Sequence, residues 1–299
     1  MRRFQHIVTN LSLQDSDAAV LRWTSNLARM AGSKKVTLMY GWQPVDIPPE
    51  LKARYPWLLE PGEGVAQERM NSLIEENLDL ADGVELNRVV FQGSPLGEIL
   101  HVTQKEDADL VVCGRQVSDI FLSEKLARKA PCSVLTVPAE TKTKFQRVMV
   151  AVDYSEFSRE ALDVGLAFAE AEGVALTVFH AFSVPWGQSR ATISREEFVR
   201  ELREFHEKEL RAIVDEVGSR GVEVEYSLQE SAIKPTAIAS AVEEQGHDLV
   251  VIGCRGRHAI YATLLGSTAE SILRECPAPV VAVKSKNSGK SFLSALSGA

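Results

Sequence analysis

Residues 148–181 read VMVAVDYSEFSREALDVGLAFAEAEGVALTVFHA. The opening VMVAVD is an apolar, largely β-branched run closed by Asp153, the pattern of a strand buried on both faces. The period then changes. Ala161, Leu162, Gly165, Leu166 and Ala169 fall on one helical stripe, and Gly173 stops it. ALTVFHA is apolar again and reads as a second strand. Two apolar strands joined by a helix imply a parallel pair with a crossover.

The alternation continues to the end of the chain. SREEFVRELREFHEKELRAIVDEVG opens with a Ser194-x-x-Glu197 capping box and carries a stripe through Phe198, Leu202, Phe205, Leu210, Ile213 and Val217. Strands follow at VEVEYSL, LVVIG and PVVAVK, with helices at PTAIASAVEEQG and STAESILREC between them. The first half repeats this order. ADLVVCGR (108–115) matches HDLVVIGCR (247–255), and DGVELNRVV matches RGVEVEYSL. SKKVTLMY matches VALTVFH, RFQHIVTNLS matches KFQRVMVAVDYS, and APCSVLTV matches CPAPVVAV. Five anchors in constant order indicate a duplication.

The expected fold is α/β: two tandem open-twisted parallel five-stranded sheets with helices on both faces, Rossmann-like in layout. One domain is expected over 1–139 and the other over 145–285, joined near PAETKTK. The Ser/Gly/Lys-rich tail 286–299 is expected to be disordered. Trp42, Pro44, Pro48, Pro49, Tyr55, Pro56 and Trp57 form a rigid apolar insertion within 41–67 that covers a core edge or serves as a lid or partner surface.

The net charge of −8 argues against a phosphate-tracking nucleic-acid surface, which needs clustered Lys and Arg. Four widely spaced cysteines fit free thiols in a reducing compartment. No stretch approaches the roughly 18 apolar residues of a membrane span, and MRRFQHIVTN lacks the apolar centre of a signal peptide. A cytoplasmic protein is expected.

In an open α/β sheet, ligands bind beyond the carboxyl ends of the strands, where the strand order reverses. GCRGRHAIYATLLGST (253–268) falls there, with glycines at 253, 256 and 266 and Ser267 and Thr268 behind the last. Glycines let backbone amides approach an anion, and the next helix N-terminus adds partial positive charge. The alternative is a tight turn with Ser267 as N-cap.

This G-x2-G-x9-G-[ST] pattern after the fourth strand, with Asp153 closing the first, resembles the nucleotide-binding signature of the universal stress protein family. VAVDYSEFSREAL and HAF resemble its opening segment and adenine-side segment, and the likeness spans both halves. It implies the adenine-nucleotide α-hydrolase-like form of the fold. It implies that Val152 and Asp153 border adenine and ribose, and that Ala181, after the second strand, offers backbone contacts to the base. Ile252 and Gly253 would lie against the ribose, and Gly256, Arg257, Gly266, Ser267 and Thr268 would hold the phosphates. For Asp153 the alternative is a helix cap, and the two roles can coexist.

The first half departs from the pattern. Asn10 is read in place of the aspartate, the second glycine is missing from Gly114-Arg115-Gln116-Val117, and the loop is about seven residues shorter. Ile120 and Phe121 fall where Gly266 and Ser267 stand. No nucleotide is expected there, leaving a structural role or another ligand.

SGKS (288–291) lacks the first glycine of a phosphate loop, HEKEL (206–210) lacks a second metal-binding histidine, and His180 reads as a satisfied core residue. The leading reading is an ATP-binding regulatory stress-response protein, with ADP or AMP as alternative ligands and magnesium accompanying ATP. Its second half would hold the nucleotide and its first half would act as an intramolecular pseudo-dimer partner. Resemblance suggests pairing of SVLTV with PVVAV, and homodimers of the tandem are open. The rival readings are a slow ATPase or phosphotransferase using Asp153 and His258, and a nucleotide-free scaffold.

Overall fold

The computed structural model describes residues 3–14, 16–42, 48–54, 63–115, 120–141, 146–185, 193–254 and 265–285. The tail 286–299 and part of the 41–67 insertion lie outside them. The chain divides into two compact units, Met1–Thr143 and Lys144–Ala299.

The first unit runs β1 (His6–Asn10), α1 (Asp17–Ala31), β2 (Lys35–Trp42), α2 (Pro49–Arg54), α3 (Glu63–Asn77), β3 (Glu85–Gln92), α4 (Pro95–Lys105), β4 (Leu110–Arg115), α5 (Ile120–Lys129) and β5 (Ser133–Pro138). Its strands are parallel, in the order β3-β2-β1-β4-β5. The second unit runs β6 (Val148–Ala151), α6 (Glu156–Glu172), β7 (Leu176–Phe182), α7 (Arg195–Val217), β8 (Val224–Glu230), α8 (Lys234–Gln245), β9 (Leu249–Gly253), α9 (Ser267–Glu275) and β10 (Val280–Val283). Its parallel order is β10-β9-β6-β7-β8.

Right-handed crossovers put α6 and α7 on one face of the second sheet and α8 and α9 on the other. The central strands are largely apolar because both faces are covered, and all seven residues of β7 are buried. α6 starts where the Ser155 hydroxyl accepts the Ser158 N–H and ends at left-handed Gly173. At Gly165 a Cβ would lie 2.2 Å from Val150 Cγ2, so α6 rests directly on β6. The Ser194 cap of α7 forms as read, accepting the Glu197 N–H. On the α7 stripe, Leu210 and Ile213 are buried, whereas Phe205 is 56% exposed and its neighbour His206 turns toward β7.

The repeated Asp-Leu-Val-Val has a structural reason. Asp109 accepts the N–H groups of Gln5 and His6, and Asp248 those of Gln146 and Arg147, tying together the starts of the central strands. At the same end, His6 Nε2 lies 2.9 Å from Thr37 Oγ1 and His247 Nε2 2.9 Å from Thr177 Oγ1. All four cysteines are free and buried, as composition suggested. Among the described residues no helix is long and apolar enough to cross a membrane.

Candidate nucleotide site

In the second unit the strand order reverses between β6 and β9. β6 ends at Ala151, in register with Phe179 of β7 and Ile252 of β9. Val152 N–H still donates to Phe179 O (2.9 Å), after which the chain leaves the sheet through Asp153.

Peptide direction alternates along a strand. Ser231 N–H donates to Phe182 O, so Phe179 and Ala181 turn their peptide groups toward β6. Cys254 N–H donates to Val283 O, so Ile252 turns toward β10 and Gly253 toward β6. The peptide groups of Ala181 and Gly253 therefore flank the space just past the end of β6. Ala181, with His180 and Phe182, lies inside β7 rather than after it, because continuous burial and pairing with β8 run to Phe182. Ile252 is buried at 4% exposure.

Gly253 is needed for packing as well. A Cβ there would meet the backbone C and O of Phe157 at 2.9 Å, so the first turn of α6 closes on this strand end. Asp153 is half-buried. Its Oδ1 accepts the Ser155 N–H (3.1 Å) and the Ser158 hydroxyl (2.6 Å), while its own N–H donates to Ser158 Oγ (2.9 Å). Asp153 thus caps the turn ahead of α6, and the helix N-cap is Ser155. Sequence reasoning missed Ser155 and Ser158, which hold the carboxylate; the Asp-x-Ser-x-x-Ser spacing was the available signal.

At the other side, Gly266 is the N-cap of α9, with no side-chain cap among the described residues. Ser267 is therefore the first helical residue and not the cap. Ser267 is exposed and Thr268 half-buried. An uncapped first turn leaves amide donors and the positive end of the helix dipole for an anion. Gly266 N–H donates to Cys254 O, which closes the base of the loop. Gly256 and Arg257 lie outside the described residues, as does His258. Among the described residues no three His, Cys, Asp or Glu side chains are grouped to hold a metal.

The first unit shows how the site differs there. Leu11 N–H donates to Met39 O just as Val152 N–H donates to Phe179 O. Leu13 (φ 55°) and Tyr154 (φ 63°) share the same left-handed turn. Ser12, not Asn10, therefore stands where Asp153 does, and Asp17 stands where Ser158 does; Asn10 matches Ala151. The pair has been exchanged. Ser12 N–H donates to Asp17 Oδ2 (2.9 Å) and its hydroxyl to Oδ1 (3.0 Å), with Leu13 N–H on Oδ2 (2.6 Å). The carboxylate has moved from the strand end into the interior, where Asp17 is 1% exposed. On α5, Phe121 is 68% exposed at the position read as matching Ser267.

Burial raises the Asp17 pKa to about 6, against the hydrogen bonds from Ser12, Leu13 and Gln14 that lower it. A raised folded pKa stabilises the first unit fully below pH 3.8 and loses that contribution as pH rises through about 6, a span of roughly 3 kcal/mol. Burial lowers the His247 pKa from 6.5. The second unit therefore keeps that contribution above pH 6.5 and loses it as pH falls. Hydrogen exchange by mass spectrometry between pH 7.5 and 5 should show rising protection in the first unit relative to the second. Asp17→Asn and His247→Gln should each flatten the response of their own unit.

The universal stress protein family model matches this chain twice, over residues 3–138 and 144–284. The chain belongs to the universal stress protein family. A family member from Thermus aquaticus is 29% identical over 141 residues, covering 47% of this chain and 99% of the relative. One from Methanocaldococcus jannaschii is 24% identical over 158 residues, covering 48% and 98%. The crystal structure of a universal stress protein from Archaeoglobus fulgidus superposes over 95% of this chain and 98% of its own, with TM-score 0.63 at 19% identity. That likeness shows the open parallel α/β fold of the family, as expected from the periods.

Proposed function

We propose that the second unit binds an adenine nucleotide, with ATP as the leading ligand, in the crevice beyond β6 and β9. The observation that carries this is the N-terminus of α9, with Gly266 at the cap and Ser267 and Thr268 behind it, beside the point where strand order reverses. Phosphate would meet those amides together with Gly256 and Arg257. Val152, Asp153 and Gly253 would border the ribose, and the β6-facing peptide of Ala181 would meet the base. Magnesium would arrive with ATP.

The first unit would bind no nucleotide, since its carboxylate is withdrawn to Asp17, and would serve as the intramolecular partner of the second. The protein would act as a regulatory stress-response protein whose state reports nucleotide supply. Calorimetric titration with ATP and AMP on the wild type and on Gly256→Asp tests the site. The variant should lose ATP binding because its carboxylate repels phosphate; equal ATP affinity for both proteins would place the site elsewhere.

A further inference from the structure

We propose that Tyr154, His180 and His206 are positioning residues for Asp153: two imidazoles clamp the strand end that carries the carboxylate. This rests on nucleotide binding by the second unit and names what sets its affinity.

Tyr154 directly follows Asp153 and sits at φ 63°, a left-handed conformation uncommon for a bulky residue. Its hydroxyl donates to the backbone oxygen of His206 on α7 (3.2 Å) and lies 3.2 Å from His206 Nδ1. One arrangement satisfies both contacts: the hydroxyl donates to the carbonyl and His206 Nδ1–H donates to the phenol oxygen. His180 on β7 does the parallel task one step earlier, its Nδ1–H donating to Val152 O at 2.7 Å. The rings pack on one another: Tyr154 on His180 at 4.5 Å, His180 on His206 at 4.7 Å, and Tyr154 nearly parallel to His206 at 5.9 Å. Phe182 and Phe205 close further sides of the His206 ring. The residues on either side of Asp153 are thus each held by a histidine from a different element.

Folding of the turn does not account for the imidazoles. In the first unit Leu13 adopts the same left-handed turn with an apolar, 3% exposed side chain. Strand register puts Tyr40 where His180 stands. A leucine side chain has no hydrogen-bonding group, so the turn forms there without the hydroxyl bond that Tyr154 makes. On α7, His206 lies four residues from both Leu202 and Leu210, an inward position where a leucine would supply packing alone. The imidazole adds direction. It fixes where Tyr154 hangs, and through the intervening peptide where Asp153 points. A carboxylate recognising ribose hydroxyls needs that constraint, because a bound geometry displaced by an ångström weakens short charge-assisted hydrogen bonds steeply.

The test is a calorimetric ATP titration of the full chain as wild type, Tyr154→Phe, His206→Leu and Asp153→Asn, and with Tyr154→Phe and His206→Leu each combined with Asp153→Asn. Tyr154→Phe and His206→Leu should each weaken ATP binding roughly 5- to 20-fold while leaving thermal unfolding of the second unit within a few degrees. In the Asp153→Asn background both effects should disappear, because a clamp acting through that carboxylate has nothing left to position. A merely structural role would leave the losses undiminished there. Undiminished losses, or wild-type affinity in both single variants, would overturn the proposal. A wild type that binds no ATP would instead overturn the nucleotide reading on which it rests.

Discussion

Ser12→Asp, with Asp17 retained, should destabilise the first unit by roughly 2–4 kcal/mol at pH 7. It would set two carboxylates within hydrogen-bond distance of one another, one of them almost fully buried. Like charges this close cannot both ionise without penalty, so the pair would hold one proton, and the loss should shrink as pH falls toward 5. Asp17→Ser alone should cost about 1–2 kcal/mol, because the N–H groups of Ser12 and Leu13 lose their carboxylate acceptor. The double variant, Ser12→Asp with Asp17→Ser, rebuilds the arrangement of Asp153 and Ser158 in the second unit and should return to within about 1 kcal/mol of wild type. Denaturant unfolding followed by fluorescence of Trp23, which is fully buried in the first unit, measures all four proteins. Additive losses would mean that the two sites are not the exchanged pair that the hydrogen bonds describe.

Ser267→Asp should separate folding from binding in the second unit. An acidic residue in the first turn of a helix complements the dipole, so α9 should be as stable as in wild type or slightly more so. The same carboxylate would stand where a phosphate must dock. At about 4 Å and the effective dielectric of a protein surface, the repulsion is roughly 4 kcal/mol per charge pair, so ATP affinity should fall about 100- to 1000-fold. Adenosine, lacking phosphate, should bind both proteins alike. Competition against a fluorescent ATP analogue, with thermal unfolding run alongside, gives both quantities. An unchanged ATP affinity would remove α9 from the site.

The strands and helices were legible because burial on two faces leaves continuous apolar runs and the helices carry their own end signals, the start of α7 at Ser194 and the stop of α6 at Gly173 among them. The candidate site was legible at Gly253, Gly266 and Asp153, whose types are constrained by backbone approach and charge. Its supports were not. Ser12 and Asp17 exchange the roles of Asp153 and Ser158, so matching letters misplaced the register by two residues, onto Asn10. The ladder bonds of Leu11 and Val152 and the left-handed turn at Leu13 and Tyr154 restore it. His206 was hidden for a different reason. A polar residue beside Phe205 on an apolar stripe reads as solvated, yet it is Phe205 that turns outward, because Tyr154, His180 and Phe182 supply the partners an imidazole needs.

On the proposed function, one of the two duplicated crevices would hold adenine nucleotide and the other would not. Calorimetric titration of the purified full chain with ATP reads this as a stoichiometry. One nucleotide per chain, abolished by Ser267→Asp and unaffected by the Ser12→Asp, Asp17→Ser double variant, is the predicted result; two per chain, or none, would contradict it.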